Sequence, residues 1–136
     1  MILVDSSLLI QALNRKDSPA AQALSDVVAR GAPYAICPYV YQEVLQGTSD
    51  ELMFQRVKKY LDTQECLWLP PSLETYERAA RIYWSLRRQG VTVRGTIDVL
   101  IACTAIHHGA HLMHDDRDFD QMAAVLPDLK LLEWKT

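Results

Sequence analysis

The sequence predicts an α/β fold, with a central, mostly parallel sheet of about four to five strands covered by helices on both faces. Two observations predict it. Short apolar runs bounded by turn residues recur along the chain, and segments with the apolar spacing of amphipathic helices separate them. The predicted order is β-α-α-β-α-α-β-α-α-β-α-β. Strands separated by helices are typical of parallel sheets, because a parallel connection needs a crossover long enough to contain a helix.

Five strands are predicted, at residues 2–4, 34–37, 66–69, 111–114 and 130–134. The first run, Ile-Leu-Val, contains no polar residue, which fits a strand buried on both faces of the sheet. Asp5 would end this strand. Pro70 and Pro71 would end the third strand, because proline cannot donate a hydrogen bond to a neighbouring strand.

Seven helices are predicted, at residues 7–14, 18–31, 38–45, 50–62, 72–89, 96–108 and 119–126. Capping residues indicate several starts: Ser6 or Ser7 for the first helix, and Ser18, before a proline, for the second. Thr96 is the predicted N-cap of the sixth helix, which places Asp98 in its first turn. Glycines mark the ends of most of these helices.

The composition limits the class of protein. The 136 residues suffice for a single domain, residues 1–136, and the 49% hydrophobic and 23% charged fractions are typical of a globular protein. The net charge of −3 gives no overall basic signature for nucleic acid, although a local basic patch acts within about 10 Å. No apolar run approaches the ~18 residues that cross a membrane. Three dispersed cysteines (Cys37, Cys66 and Cys103) fit the reduced cytoplasm.

Acidic residues are predicted near one edge of the sheet. Asp5 ends the first strand, Glu43 lies one to two turns into the helix after the second, and the run Asp-Asp-Arg-Asp-Phe-Asp follows the fourth. Asp98 opens the helix before that strand. Because loops from the carboxyl ends of parallel strands meet at one edge, we expect these carboxylates to share a pocket. Repelling carboxylates in one pocket favour a bound cation, and hard oxygen ligands favour Mg²⁺ or Mn²⁺.

Each acidic position also has an ordinary explanation. Asp5 is a common capping residue, Asp98 would complement a helix dipole, and Glu43 could be solvated. The acidic run could simply begin a helix. On the residues alone these explanations stay open, beside a site for phosphodiester hydrolysis in which an ion lowers the pKa of the attacking water.

The combination resembles a known family. The segments VDSSLLI at residues 4–10, EVLQG at 43–47, TIDVLIA at 96–102 and HDDRDFD at 114–120 occur in the order and separation of PIN domains. More narrowly, they are similar to the VapC-type ribonuclease toxins of type II toxin–antitoxin systems. The resemblance spans residues 1–134. It departs from the family at Cys37, where a serine or threonine usually precedes the helix that carries the glutamate.

The resemblance implies a PIN-like α/β/α sandwich and a Mg²⁺- or Mn²⁺-dependent endoribonuclease that leaves 5′-phosphate ends. It implies a catalytic quartet of Asp5, Glu43, Asp98 and Asp116, and metal ligands Asp5, Asp98, Asp116 and Asp118. Asp115 is a less secure match than Asp116, and Ser7 matches a hydroxyl near the attacking water. The implied partners are an RNA substrate, a VapB-type antitoxin and a second copy of the chain, in the cytoplasm and away from membranes.

The sequence also allows other functions. A PIN-fold RNA-binding module without catalysis is one alternative, and another Mg²⁺ enzyme such as a phosphatase is a second. The phosphatase usually needs Asp-x-Asp after the first strand, where this chain has Asp-Ser-Ser. Arg94, in the loop before Asp98, is the better candidate for binding RNA phosphate, whereas Arg117 is expected to pair with a neighbouring aspartate. The four histidines suggest zinc weakly, because Gly109 interrupts the helix between them.

Overall fold

The computed structural model describes residues 1–135, which contain four strands and seven helices. Thr136, the last residue of the predicted domain, lies outside the described residues. The strands are β1 (Ile2–Val4), β2 (Tyr34–Ala35), β3 (His111–Met113) and β4 (Lys130–Leu131). The helices are α1 (Ser6–Asn14), α2 (Pro19–Ala29), α3 (Pro38–Gln46), α4 (Glu51–Leu61), α5 (Leu73–Arg88), α6 (Thr96–His108) and α7 (Arg117–Val125).

The strands form one parallel sheet in the order β2-β1-β3-β4, which confirms the predicted fold class. In its register Leu3 lies opposite Ala35 on one side and Leu112 on the other. All three β1 residues are buried, as expected of a central strand with helices packed on the sheet. The order places the carboxyl ends of β1 and β3 side by side, and these are the ends that acidic residues follow.

The prediction of a third strand at residues 66–69 was wrong. Pairing there is reduced to a single parallel bridge between Ile36 and Cys66, with hydrogen bonds from Leu67 N to Ile36 O (2.8 Å) and from Ile36 N to Glu65 O (2.9 Å). Trp68 then turns out to solvent, with 66% of its surface exposed, and two prolines follow. Proline supplies no donor, so the edge cannot continue.

The helix starts also differ from the prediction. Asp5, rather than either following serine, caps α1 by accepting a hydrogen bond from Ser7 N. Gly95 occupies the N-cap of α6, so the predicted threonine cap is the first helical residue instead. Asp116 caps α7 through Asp118 N, and this helix therefore begins two residues before the predicted start. A carboxylate accepts the otherwise unpaired amide hydrogens of a first turn, which is why two acidic residues hold these positions.

One hydrophobic core joins the sheet to the helices. Its fully buried side chains include Leu3, Leu8, Ile101, Leu112 and Phe119. Phe119 follows the acidic run directly, so the core fixes the position of the turn that carries those carboxylates. Among the helices of residues 1–135, none combines the length and apolar character that a membrane crossing requires.

Candidate metal centre

The acidic residues lie where helices leave the carboxyl edge of the sheet. Asp5 and Asp116 are the N-caps of α1 and α7, and Asp98 and Asp118 lie in the first turns of α6 and α7. Glu43 lies in α3, which follows β2. The partial positive charge of a helix N-terminus stabilises a carboxylate there, which offsets part of the repulsion among them.

Three of these residues form a group that could hold a cation. One carboxylate oxygen from each of Asp98, Asp116 and Asp118 lies within 4.8 Å of the other two. Asp118 is buried, and the other two are half-buried. Carboxylate oxygens are the ligands that divalent cations of the Mg²⁺ type prefer.

Asp5 is the most buried member of the acidic group, with 2% of its surface exposed. Its Oδ2 atom accepts hydrogen bonds from Ser7 N (3.0 Å) and Ser7 Oγ (2.6 Å). Its Oδ1 atom is buried and has no hydrogen-bond partner among the described residues. Burial raises the pKa of Asp5, and the hydrogen bonds from Ser7 oppose that shift. A buried carboxylate oxygen without a partner is unfavourable in a folded protein, and a cation bound there would remove that cost.

The pKa values of Glu43 and Asp98 are raised by burial and by the negative charge of the neighbouring carboxylates. Burial, the largest cause, and the charges of Asp5 and Asp116 together raise the pKa of Asp98 to about 7. Burial also raises the pKa of Glu43, with the same two charges adding to it, while a hydrogen bond from Ser6 opposes the shift. The Ser6 hydroxyl donates that bond to Glu43 Oε1 at 2.9 Å. The charges of Asp5, Glu43, Asp116 and Asp118 all act on Asp98, so these five predicted carboxylates interact electrostatically.

Arg94, rather than Arg117, pairs with the aspartates of the acidic run. The Arg94 Nη2 atom donates to both oxygens of Asp116 (2.9 and 3.0 Å), and Nε donates to Asp118 Oδ2 (3.0 Å). Arg117 is exposed and forms no ion pair among residues 1–135. Arg94 thus bonds acidic residues in this structure, while its expected contact with RNA phosphate stays a prediction; the expected pairing of Arg117 with a neighbouring aspartate was wrong. The reason is the fold: the loop before α6 lies beside the start of α7, a proximity that sequence separation hides.

Asp115 turns away from the group. Its carboxylate accepts a hydrogen bond from Gln11 and pairs with Lys135, and these two contacts lower its pKa. Its backbone amide donates to Ser7 Oγ at 2.9 Å. Asp115 therefore contributes to the position of Ser7 rather than offering a ligand, which favours Asp116 in the acidic quartet.

Sequence reasoning missed two polar contacts that hold the site. Ser6 was considered as a helix cap, yet its hydroxyl bonds Glu43, which lies 37 positions away. His114 was considered as a zinc ligand, yet its Nδ1 atom accepts the Asp116 amide hydrogen at 3.0 Å. The ring lies 5.2 Å from that of Phe119. Ser6 follows Asp5 directly, and this adjacency was the signal that could have pointed to it.

The clustered oxygens fit a hard divalent cation. They belong to Asp98, Asp116 and Asp118, and neither a cysteine nor a histidine belongs to this group. The unpartnered Asp5 oxygen supplies a separate reason for a cation or a proton at this place. Mg²⁺ and Mn²⁺ prefer such oxygens, whereas zinc sites usually include nitrogen or sulfur ligands.

Comparisons with known proteins identify the family of the chain. The family model of the PIN domain matches residues 2–125. The chain is 34% identical over 129 residues to the VapC ribonuclease Mb1587 of Mycobacterium bovis, which covers 92% of this chain and 93% of that protein. The ribonuclease VapC11 of Mycobacterium tuberculosis matches with the same identity and coverage.

Two solved structures share the fold. The crystal structure of VapBC2 from Rickettsia felis, bound to a DNA fragment from its promoter, superposes with a TM-score of 0.76 at 22% identity, over 99% of this chain and 100% of that one. The structure of VapBC-1 from nontypeable Haemophilus influenzae gives a TM-score of 0.75 at 19% identity, over the whole of both chains. At these identities the likeness concerns the fold.

Proposed function

The chain belongs to the PIN-domain family and is related to the VapC ribonucleases, and on that premise we propose that it is a Mg²⁺- or Mn²⁺-dependent endoribonuclease, the toxin of a VapBC-type toxin–antitoxin system. One observation carries the proposal. Oxygens of Asp98, Asp116 and Asp118 cluster within 4.8 Å, in the same acidic group as the buried, unpartnered oxygen of Asp5. One guanidinium, that of Arg94, offsets only part of this negative charge. Clustered carboxylates are costly in a fold and useful in a site that recruits a cation.

The acidic group would bind the ion and orient the reaction. The proposed ligands are Asp5, Asp98, Asp116 and Asp118. A divalent ion held there would supply a Lewis acid beside the phosphate and lower the pKa of the attacking water. Ser7 holds one oxygen of Asp5, so that the other remains available. His114 holds the Asp116 amide and thereby the start of α7.

Glu43 is the proposed proton acceptor of the quartet. Ser6 fixes its Oε1 atom by a hydrogen bond of 2.9 Å. Burial raises the pKa of Glu43, which makes it a stronger base than an ordinary exposed glutamate. The second oxygen, Oε2, is then free to position the attacking water and take its proton.

RNA is the proposed substrate, because the curated relatives are named as ribonucleases. Hydrolysis by water would leave a 5′-phosphate and a 3′-hydroxyl, since the neighbouring 2′-hydroxyl would not take part. The proposed partners are a VapB-type antitoxin and a second copy of this chain, in line with VapBC complexes that share its fold. We propose that it acts in the cytoplasm, where such RNA is found.

The experiment is cleavage of total cellular RNA by the purified protein, free of antitoxin, with Mg²⁺ or Mn²⁺ and with EDTA. Asp5→Asn and Asp98→Asn test the acidic group. Asp115→Asn is the matched control, because it removes a carboxylate of the same turn that pairs with Lys135 instead. We expect discrete fragments that need the metal, vanish in the first two variants and persist in the control.

Two results would oppose the proposal. RNA binding without cleavage by the folded wild type would favour the alternative, a non-catalytic PIN-fold RNA-binding module. Cleavage that continues in EDTA and in Asp98→Asn would place the chemistry outside the acidic group.

A further inference from the structure

Arg94 occupies part of the acidic group. Its guanidinium bonds both oxygens of Asp116 and one of Asp118, at 2.9 to 3.0 Å. These two aspartates are two of the three clustered candidate ligands, with Asp98 as the third. An arginine and a divalent ion are both cations that carboxylates bind, so the two compete for the same oxygens.

We propose that Arg94 is an internal competitor for the divalent ion, which holds Asp116 and Asp118 in the metal-free protein and releases them when the ion binds. The proposal rests on the function proposed above and adds to it a residue that sets the affinity of the site. In this view Asp116 and Asp118 have a cation as partner in both states, first the guanidinium and then the metal.

The geometry of Arg94 is suited to release. Its side chain is 72% exposed, whereas the carboxylates of Asp116 and Asp118 are 19% and 7% exposed. The guanidinium thus reaches the acids from the solvent side. Its three bonds to the aspartates are the side-chain hydrogen bonds it makes within residues 1–135. Leaving the group therefore breaks no other side-chain hydrogen bond of Arg94 among the described residues and returns the guanidinium to water.

The backbone beside Arg94 stays in place during such a change. Val93 is buried in the core, and α6 begins two residues after Arg94. Movement of the side chain alone then suffices, because a long arginine stem has several rotatable bonds. Asp98, on that same helix, would keep its position while Asp116 and Asp118 change partners.

Removing Arg94 would increase the affinity of the site for a divalent ion through two effects. It frees three oxygen contacts on Asp116 and Asp118, and it deletes one positive charge beside the site. Both effects favour a divalent cation, which predicts tighter binding. If Arg94 instead held the two carboxylates in the arrangement that the ion needs, its removal would weaken binding. The sign of the change therefore distinguishes a competitor from an organiser of the site.

The test is calorimetric titration of the RNA-free protein with MnCl₂, for the wild type, Arg94→Ala, Arg94→Lys and Arg117→Ala. We expect Arg94→Ala to bind Mn²⁺ roughly tenfold more tightly than the wild type. Arg94→Lys should fall between them, because lysine keeps the charge and loses the planar fork. Arg117→Ala is the matched control: it removes a charge of the same acidic run that bonds none of these acids, and we expect a change below about twofold.

Three results would overturn the inference. Equal or weaker Mn²⁺ binding by Arg94→Ala would show that Arg94 does not compete, and the proposed function would stand as long as the wild type binds Mn²⁺ and Asp98→Asn does not. Equal tightening in Arg117→Ala would assign the effect to overall charge. Absence of Mn²⁺ binding in both the wild type and Arg94→Ala would overturn the inference and the proposed function together. Thermal unfolding in EDTA verifies that each variant is folded.

Discussion

The Ser7 hydroxyl donates a 2.6 Å hydrogen bond to Asp5 Oδ2, while Asp5 Oδ1 stays buried without a partner among the described residues. One side of the carboxylate is thus fixed and the other is left unsatisfied. An unpaired polar group in the interior opposes folding, and a cation that binds it offsets the cost. Stability and metal binding are therefore coupled at Asp5.

Asp5→Asn should separate these two effects. The amide oxygen can keep the hydrogen bonds of Ser7, and the neutral side chain removes a buried charge. We expect the metal-free variant to unfold at a free energy equal to the wild type or about 1 kcal/mol higher. The stabilisation that Mn²⁺ gives the wild type should disappear. Denaturant unfolding with Mn²⁺ and with EDTA measures both quantities.

Asp115→Asn provides the comparison for Asp5→Asn, because it also removes one carboxylate and keeps the clustered ligands. It should retain the Mn²⁺-induced stabilisation. If Mn²⁺ still stabilises Asp5→Asn, the proposal that Asp5 binds the metal is contradicted.

The metal-free protein should become more stable as the pH falls. The pKa of Asp98 is about 7 in the folded state and 3.8 ordinarily, so between these values the folded state binds more protons than the unfolded state. This contribution is fully present below 3.8 and is lost as the pH rises through 7. Asp5 and Glu43 shift in the same direction.

Thermal unfolding in EDTA, from about pH 8 to about pH 5, measures this dependence. We expect the melting temperature to rise on acidification in the wild type and to rise less in Asp98→Asn, which lacks the titrating group. Saturating Mn²⁺ should flatten or reverse the trend, because the ion binds the deprotonated carboxylates. A wild type and an Asp98→Asn variant with the same pH dependence would show that this carboxyl does not carry the effect.

Ser6→Ala should lower both the turnover and the stability of the protein. The substitution removes the hydroxyl that holds Glu43 Oε1 and leaves the rest of α1 intact. We expect kcat to fall about three- to tenfold with a small change in KM, and the free energy of unfolding to fall by about 1 kcal/mol. Steady-state cleavage of a short RNA at saturating Mn²⁺ measures kcat and KM, and denaturant unfolding measures the free energy. An unchanged kcat would mean that Glu43 needs no support from Ser6.

Phe119→Ala should lower both the stability of the protein and its affinity for Mn²⁺. Phe119 is fully buried, packs against the ring of His114 and follows Asp118 in α7. We expect a loss of about 3–5 kcal/mol in unfolding free energy and weaker Mn²⁺ binding, because the start of α7 loses its anchor. Leu73→Ala, at a side chain 87% exposed, is the control, with an expected change within about 0.5 kcal/mol.

Leu73→Ala should also leave Mn²⁺ binding as it is in the wild type. If Phe119→Ala loses stability while its folded fraction binds Mn²⁺ with unchanged affinity, the core does not set the position of the acidic turn.

The sequence predicted the fold class and the helices well, because each rests on local patterns. The apolar run of β1 and the glycine stop of α6 at Gly109, where φ is 62°, are examples. The extent of the strands was predicted less well. The run at residues 66–69 has strand-like side chains, but pairing depends on a neighbour, and the edge beside Ile36 accepts only the bridge to Cys66.

The carboxylates of the site were predictable, and their partners were not. Acidic residues after strand ends meet by topology, so their convergence follows from the order of elements. Arg94 and Asp116 lie 22 positions apart, and Ser6 and Glu43 lie 37 apart. Such contacts depend on side-chain directions in the folded chain. The ion pairs of Arg94 could not be predicted for this reason, whereas Asp115 could be separated from Asp116 once their partners were known.

The most direct test of the account is to map the ends of RNA cut by the purified protein. The account predicts discrete sites with a 5′-phosphate on the downstream fragment, formed with Mn²⁺ or Mg²⁺ and absent with EDTA or Asp98→Asn. A water that attacks the phosphorus gives this end, whereas attack by the 2′-hydroxyl gives a 2′,3′-cyclic phosphate and a 5′-hydroxyl. Fragments with a 5′-hydroxyl that persist in EDTA would contradict a metal-dependent hydrolysis at the acidic group.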